Sequence, residues 1–298
     1  MIVVDWGTSS LRAYRLDGDG VVVARHEGPH GILAVPAGGF SEVLRHEIAD
    51  WLREEPGEIW LSGMIGSRQG WHEAPYVACP AGPAEIAGAV VRLAWEEHTL
   101  AFVPGLLCRD AAGAPDVMRG EEMQVVGILP ALESAATVVL PGTHSKWVTV
   151  AAGRITGFST HMTGEAFALF RRHSILGRLI PDDAPASDRD GFAAGLARAG
   201  SGAGLLADLF TVRTTALLDE MPPERRAGFL SGILIGHEVA AALSAAPAGP
   251  VHVVAAPALA AAYVEAIGRQ GRTALAHPAD AAAAGLFRLA RAAPRRVD

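Results

Sequence analysis

Two stretches limit what this chain can fold into more than any others. VVDWGTSSLRAY, from Val3 to Tyr14, and VVLPGTHSKWVT, from Val138 to Thr149, align without a gap. They share Val3/Val138, Val4/Val139, Gly7/Gly142, Thr8/Thr143 and Ser10/Ser145. Each reads as a buried strand that stops at a Gly-Thr turn and runs back as a second strand. The first copy continues through LRAYRL, the turn Asp17-Gly18-Asp19-Gly20 and VVVARHE; the second continues through KWVTVAAG and RITGFST. Asp-Gly is a strong hairpin signal because such turns need residues that tolerate positive φ. Two halves that open alike predict a duplicated, two-lobed architecture, with residues 1–135 as the first lobe and 136–298 as the second. A chain of 298 residues is long enough for two cores.

Between these openings the pattern alternates. Phe40, Val43, Leu44, Ile48, Trp51 and Leu52 recur at helical spacing up to a stop at Pro56-Gly57. EIWLSG reads as a strand followed by a Gly-rich loop, SGMIGSRQGW. PAEIAGAVVRLAWEEH reads as helix, its early part least clearly; LAFVPG reads as strand and RGEEMQVVGIL as helix. In the second half, helices dominate from Met162 to Ala246. VHVVAAP is a late buried strand, followed by a helix, the strand RTALAH and a last helix to about Ala293. Strands alternating with helices imply an α/β protein with mostly buried sheets.

Charge and composition remove several function classes. A net charge of −7 gives no basic face for nucleic acid. Arg288, Arg291, Arg295 and Arg296 read as a solvated tail. The uncharged run Val239 to Tyr263 is broken by Pro247, Pro250 and Pro257, so it reads as helix, strand, helix rather than a membrane span. Asp5 and Arg12 interrupt any signal-peptide core. Cys79 and Cys108 form no metal or disulfide pattern, which suits a cytoplasmic protein.

The paired turns carry the chemistry. Gly lets the backbone pass close to a ligand, and successive N–H groups with hydroxyls can converge on one anion. Gly7, Thr8 and Ser9, with Gly142, Thr143 and His144, are therefore candidate phosphate contacts. Ser145 and Lys146 are further donors, Lys146 also reading as an ordinary surface residue. Only the first copy has a carboxylate at the strand end: Asp5 stands where the second has Leu140. A carboxylate beside a phosphate cradle is where Mg2+ is held, since magnesium takes one or two carboxylates, several waters and phosphate oxygens. No GxxxxGK[ST], GxGxxG, HExxH or GxSxG motif accompanies these turns.

With DWGTSSLRAY, SGMIGSRQGW, DVMRGEEMQVVG, LPGTHSKWV and HMTGEAFALF, the chain resembles the 2-dehydro-3-deoxygalactonokinase family of the sugar-kinase and actin-like ATPase superfamily. The resemblance covers essentially the whole chain. DWGT is shared by many sugar kinases; PGTHSKW together with MRGEE is more specific. The resemblance implies two ribonuclease-H-like lobes with an interlobe cleft. It also implies transfer of the ATP γ-phosphate to the 6-hydroxyl of 2-dehydro-3-deoxy-D-galactonate in galactonate breakdown. Asp5 and Gly7 to Ser9 would match the first phosphate motif and Gly142 to His144 the second. Gly232 and Gly236 would fall near the adenosine, while Ala255-Ala256 stands where the superfamily often has Gly.

Phosphoryl transfer needs positioning, charge neutralisation and a base for the attacking hydroxyl. Related polyphosphate hydrolases carry a similar Glu-Glu segment with a Glu base. Glu121, then Glu122, then Asp116 are accordingly the candidates here. The helix dipole also favours acids in a first helical turn without any catalysis. Arg119 could face the substrate carboxylate or one of these acids. Ser62, Ser67, Arg68, Gln69 and Trp71 form a candidate wall for the sugar acid, with Tyr76 and EGPHGIL as weaker candidates. Thr163, Gly164 and Glu165 open a second-lobe helix that could face the nucleotide or the cleft. The alternatives are a phosphohydrolase of the same superfamily, a kinase for another 2-keto-3-deoxy sugar acid, or a non-catalytic sugar-binding regulator. The galacto or gluco preference stays open, and so does a homodimer.

Overall fold

The computed structural model describes residues 1–54 and 57–293. Pro56 of the expected helix stop, and Arg295 and Arg296 of the expected tail, lie outside the described residues. By contacts the chain divides into two compact units. The first comprises residues 1–135, 150–158 and 279–298; the second comprises 136–149 and 159–278.

In the first unit the opening reads as the pattern dictates. β1 (Ile2–Trp6), β2 (Leu11–Leu16) and β3 (Val22–Gly28) form successive antiparallel pairs. The amphipathic segment that follows is broken in two, α1 (Phe40–Glu47) and α2 (Ala49–Glu54), because Ile48 leaves the helical region at φ −126°, ψ 25°. β4 (Glu58–Ser62) then runs parallel to β1 in the register Asp5↔Ser62. The short β5 (Tyr76–Ala78) precedes α3 (Pro83–Gly88), which Pro83 starts and Glu85 caps through the Gly82 N–H at 2.9 Å.

The helix expected beyond α3 is instead a strand, β6 (Val91–Trp95). It pairs antiparallel with β7 (His98–Phe102), turning at Glu96 with φ 53°. Here the sheet edge overrides local helical spacing. β8 (Gly105–Arg109) and β9 (Pro115–Met118), with β5, form a three-stranded sheet that the pattern did not signal. α4 (Glu121–Ile128) completes the run.

β10 (Ala135–Leu140), β11 (Ser145–Ala151) and β12 (Arg154–His161) repeat the opening order. The helices α5 (Thr163–His173), α6 (Arg189–Ala199), α7 (Leu205–Leu217) and α8 (Arg226–Ala245) follow. The chain ends with β13 (Val251–Val254), α9 (Pro257–Arg269), β14 (Ala274–His277) and α10 (Ala281–Ala292). The run Val239 to Tyr263 is thus helix, strand, helix, as its prolines predict. α8 has the length and apolarity of a membrane-crossing helix, but most of it is buried.

The duplication is visible in strand order. The first sheet runs β3-β2-β1-β4-β7-β6 and the second β12-β11-β10-β13-β14. In each, the opening strand lies between its hairpin partner and a parallel strand from much later in the chain. Val3, Val4, Val138 and Val139 are all fully buried, which explains why that pair of residues recurs. α10 was expected in the second half but groups with the first unit. It packs on α4 so closely that a Cβ at Gly285 would lie 1.9 Å from the Met123 carbonyl oxygen, and one at Gly127 2.0 Å from that of Ala281.

Candidate active site

The Asp5 end of β1 brings Asp5, Arg12 and Glu121 into electrostatic contact. Gly7 closes the turn by donating to the Ser10 carbonyl at 2.9 Å, leaving Thr8 and Ser9 exposed. The loop after β3 braces it: Ile32 donates to the Gly7 carbonyl at 3.0 Å, and the Trp6 indole donates to the His30 carbonyl at 2.7 Å. The Asp5 side chain is 16% exposed, with Arg12 Nη1 3.7 Å from its Oδ2. Burial pushes its carboxyl up to about 6; Arg12 opposes the shift and Glu121 adds to it. Two further backbones close on this carboxylate. A Cβ at Gly63 would come 3.3 Å from Asp5 Oδ1, and one at Gly120 3.1 Å from Gly63 Cα. Both glycines hold positive φ, 89° and 108°, which other residues adopt only with strain.

The three acids singled out as bases have different surroundings. Glu122 is fully buried, and both carboxylate oxygens accept from the Gly120 N–H, at 2.7 and 2.9 Å. Burial pushes it up to about 8, with Glu121 adding, against the pull of those N–H groups and of Arg119. At neutral pH it is mostly protonated and serves as an internal cap for α4. Glu121 is less buried, accepts from the Arg119 N–H at 3.0 Å, and acts electrostatically on both Asp5 and Glu122. Asp116 lies on β9 opposite Cys108, where its Oδ1 accepts from the Val117 N–H at 2.7 Å.

The expected sugar-acid wall divides. Ser62 pairs in register with Asp5, fully buried, and its Oγ has no hydrogen-bond partner. Ser67 Oγ donates to the Met64 carbonyl at 2.7 Å. Gln69 is exposed, and Arg68 turns outward to Glu73 at 2.9 Å. Trp71 is half-buried against the core. The loop folds back, Trp71 N–H donating to the Ile65 carbonyl at 2.9 Å. The indole stacks on Phe40 at 6.4 Å and meets Trp95 and Phe102 edge-on. Packing against these rings takes part of the indole out of water.

Arg119, undecided from sequence, is 8% exposed. It donates to the Ala74 carbonyl at 2.8 Å and lies 4.3 Å over the Tyr76 ring, with Nε and Nη1 lacking partners. It therefore braces the Gly-rich loop against the start of α4.

In the second unit, Gly142, Thr143 and His144 form the exposed turn between β10 and β11. His144 Nε2 meets Glu165 at 2.5 Å, and the Glu165 N–H donates to the Thr143 carbonyl at 3.0 Å. The opening of α5 is thus tied to this turn. Beneath it, Ser145 Oγ bonds the Tyr263 hydroxyl at 2.9 Å, which donates to Glu238 at 2.7 Å; Trp147 donates to the same carboxylate at 2.8 Å. Burial and Glu238 raise the Tyr263 phenol, so it stays a donor. Lys146 is neither on the turn's open side nor at the surface: it is buried and donates to Thr160 at 2.6 Å.

A cavity of about 340 Å³ lies against the turn, lined by Gly142, Thr143, Phe167, Ser231, Leu234 and Tyr263 among others. Gly232 and Gly236 do not line it. They press α8 against α6, where a Cβ at Gly232 would lie 2.2 Å from the Phe192 carbonyl oxygen and one at Gly236 2.7 Å from Ala199 Cβ. The cavity takes the neighbouring residues Ser231 and Leu234 instead. Helical spacing could have pointed to them, but no chemical motif does.

The 2-keto-3-deoxy-galactonokinase family matches residues 5–289. A Rhizobium meliloti (strain 1021) protein, named as a probable 2-dehydro-3-deoxygalactonokinase, is 38% identical over 97% of this chain and 96% of its own. The 2-dehydro-3-deoxygalactonokinase of Escherichia coli (strain K12) is 37% identical over 80% of this chain and 79% of its own. The crystal structure of a protein assigned the same activity, from Sinorhizobium meliloti, matches with a TM-score of 0.89 at 38% identity, covering 98% of each chain. More distant structures, at 11 and 12% identity with TM-scores of 0.57 and 0.55, share the fold alone, that of the actin-like ATPases. A family match over nearly the full length, with relatives 37 and 38% identical, leads to one conclusion: this chain belongs to the 2-keto-3-deoxy-galactonokinase family of carbohydrate kinases.

Proposed function

We propose that this chain is an ATP-dependent kinase that phosphorylates the 6-hydroxyl of 2-dehydro-3-deoxy-D-galactonate, in the cytoplasm, as a step of galactonate catabolism. The observation that carries the reading is Asp5, at the end of β1 just before the first Gly-Thr turn, within electrostatic reach of Glu121, in a chain with kinase relatives over nearly its whole length. Those relatives bear kinase names, and no observation favours the phosphohydrolase.

The donor set suits magnesium. Among the described residues no group of three or more His, Cys, Asp or Glu is arranged to hold a metal, which argues against an all-protein cage. One strand-end carboxylate with an unpartnered Ser62 hydroxyl in register beside it fits an ion that takes most of its ligands from phosphate and water. Asp5 is the residue that would hold it, and the bound ion would neutralise phosphate charge.

The chain's own groups do the rest. Glu121 accepts the proton of the attacking hydroxyl; Glu122, neutral and capped, keeps the start of α4 in place for it. With Gly7 closing the first turn, the backbone and hydroxyls of Thr8 and Ser9 donate to phosphate oxygens, and those of Gly142 and Thr143 serve the same purpose in the second turn. The cavity beside Gly142 takes the nucleoside.

The test is ADP release from purified protein with magnesium and ATP, using the galactonate substrate, its gluconate epimer, or water alone. Sugar-dependent release that collapses in Asp5→Ala, and falls about 100-fold or more in Glu121→Gln, is the expected result. Release without sugar would sink the kinase reading. Full activity in Glu121→Gln would remove that residue as base.

A further inference from the structure

A second cavity in the second unit, about 890 Å³, is lined by Phe167, Arg171, Arg172, His173, Arg178 and Asp182 among others. Its basic groups come from two directions. Arg171, Arg172 and His173 form the last turn of α5, where the helix dipole favours cations on its own account. Arg178 lies beyond the helix, so the dipole does not explain it. The chain brings it back by a built turn. Ser174 Oγ donates to the Phe170 carbonyl at 2.5 Å and accepts from the Leu176 N–H at 3.0 Å. Gly177 then lies so close to the helix end that a Cβ would sit 1.8 Å from the Arg171 carbonyl oxygen.

Two guanidinium groups pin this loop from inside. Arg171 donates to the Asp182 carbonyl at 2.6 Å, and Arg226, only 9% exposed, donates to the Leu179 carbonyl at 2.7 Å. Arg172, His173 and Arg178 have no hydrogen-bond or ion-pair partner among the described residues. Among the described residues Asp182 is the one acid in the lining.

In the first unit Arg12 lies between Asp5 and Glu27 and Arg68 is on Glu73, while Arg119 is buried and held by the Ala74 carbonyl through one nitrogen. A sugar acid and a nucleotide both bring oxyanions, which planar guanidinium forks recognise in pairs. Phe167 lines both this cavity and the smaller one at Gly142 and Thr143, so the two adjoin across one ring.

We propose that the Arg172–His173–Arg178 cavity is an oxyanion-binding site, taking either the carboxylate of the sugar acid or a phosphate of the nucleotide. The choice of ligands rests on the kinase reading. The test is calorimetric titration of the full chain with the sugar acid, ATP and pyrophosphate in turn. The parent, Arg172→Ala/Arg178→Ala, the milder Arg178→Gln and Asp5→Ala are compared, with melting temperatures recorded. The double variant is expected to lose about tenfold or more in affinity for one ligand class. Loss for the sugar acid identifies the carboxylate; loss for ATP and pyrophosphate identifies the phosphate. Smaller losses for all three overturn the proposal. If the double variant does not fold, Arg178→Gln is judged on an about threefold loss, half the charge being gone. Asp5→Ala loses turnover but still binds the sugar acid or pyrophosphate titrated without metal, so failure of the kinase reading and failure of this site look different.

Discussion

Glu122 offers a quantitative check on how α4 is built. Its folded carboxyl sits at about 8, against an ordinary value of 4.5, because it is buried beside Glu121. A carboxyl raised on folding means the native state holds its proton while the unfolded chain releases it. Stability from this group is therefore highest in acid, falls as pH rises above 4.5, and levels off above 8. Integrating the linkage between pH 5 and pH 8 for these two values gives a loss between about 3 and 4 kcal/mol. Glu122→Gln mimics the neutral acid and retains an oxygen for the Gly120 N–H, so it removes the titration with little change in packing. The assay is guanidinium unfolding of both proteins, without metal or nucleotide, at several values across that range. Wild type minus variant is expected to fall by about that amount from pH 5 to pH 8. Parallel curves would refute the argument that Glu122 is buried and neutral at pH 7. The same variant is expected to retain turnover at neutral pH, as a cap should and a base could not.

Three further outcomes follow from the geometry. Gly232→Ala is expected to cost about 3 kcal/mol by prising α8 from α6, with KM for ATP unchanged; a raised KM at unchanged Tm would return Gly232 to the nucleotide site. Arg68→Ala is expected to leave stability within about 0.5 kcal/mol and KM for the sugar acid unchanged, since its guanidinium faces Glu73 in solvent; a large KM rise would restore it to the substrate wall. His277, lowered by burial and by its neighbour His252 at 2.8 Å, resists protonation in the fold. Stability is therefore expected to fall as pH drops below the ordinary histidine value, and His277→Gln to flatten that limb in thermal unfolding across pH 5 to 7; an unchanged limb would place the acid sensitivity elsewhere.

Much of this protein was legible from order along the chain. Strand, Gly-Thr turn and returning strand are local patterns, written in alternating apolar residues and in glycines at tight turns. Their recurrence at Val138 announced the repeated sheet before any strand pairing was known. The single Asp5 against Leu140, and the acids opening α4, were readable because residue type at a strand end or helix start carries its chemistry locally. Other features depend on what lies opposite. Residues 91–95 have helical spacing and become a strand because β7 supplies a partner edge. Trp71 looks available in a Gly-rich loop and is half-buried because Phe40, Trp95 and Phe102 pack against it. Gly232 and Gly236 look like ligand glycines and are the flat seat of α6. Glu121 and Glu122 are identical and adjacent, and only burial separates a capped neutral acid from a more open carboxylate. Sequence by itself determined the repeated α/β frame and the acids at its strand and helix ends, since these depend on neighbours in the chain. Tertiary structure alone decided which acid is neutral, which glycines pack and which arginines stay unpaired, since burial and pairing depend on neighbours in space.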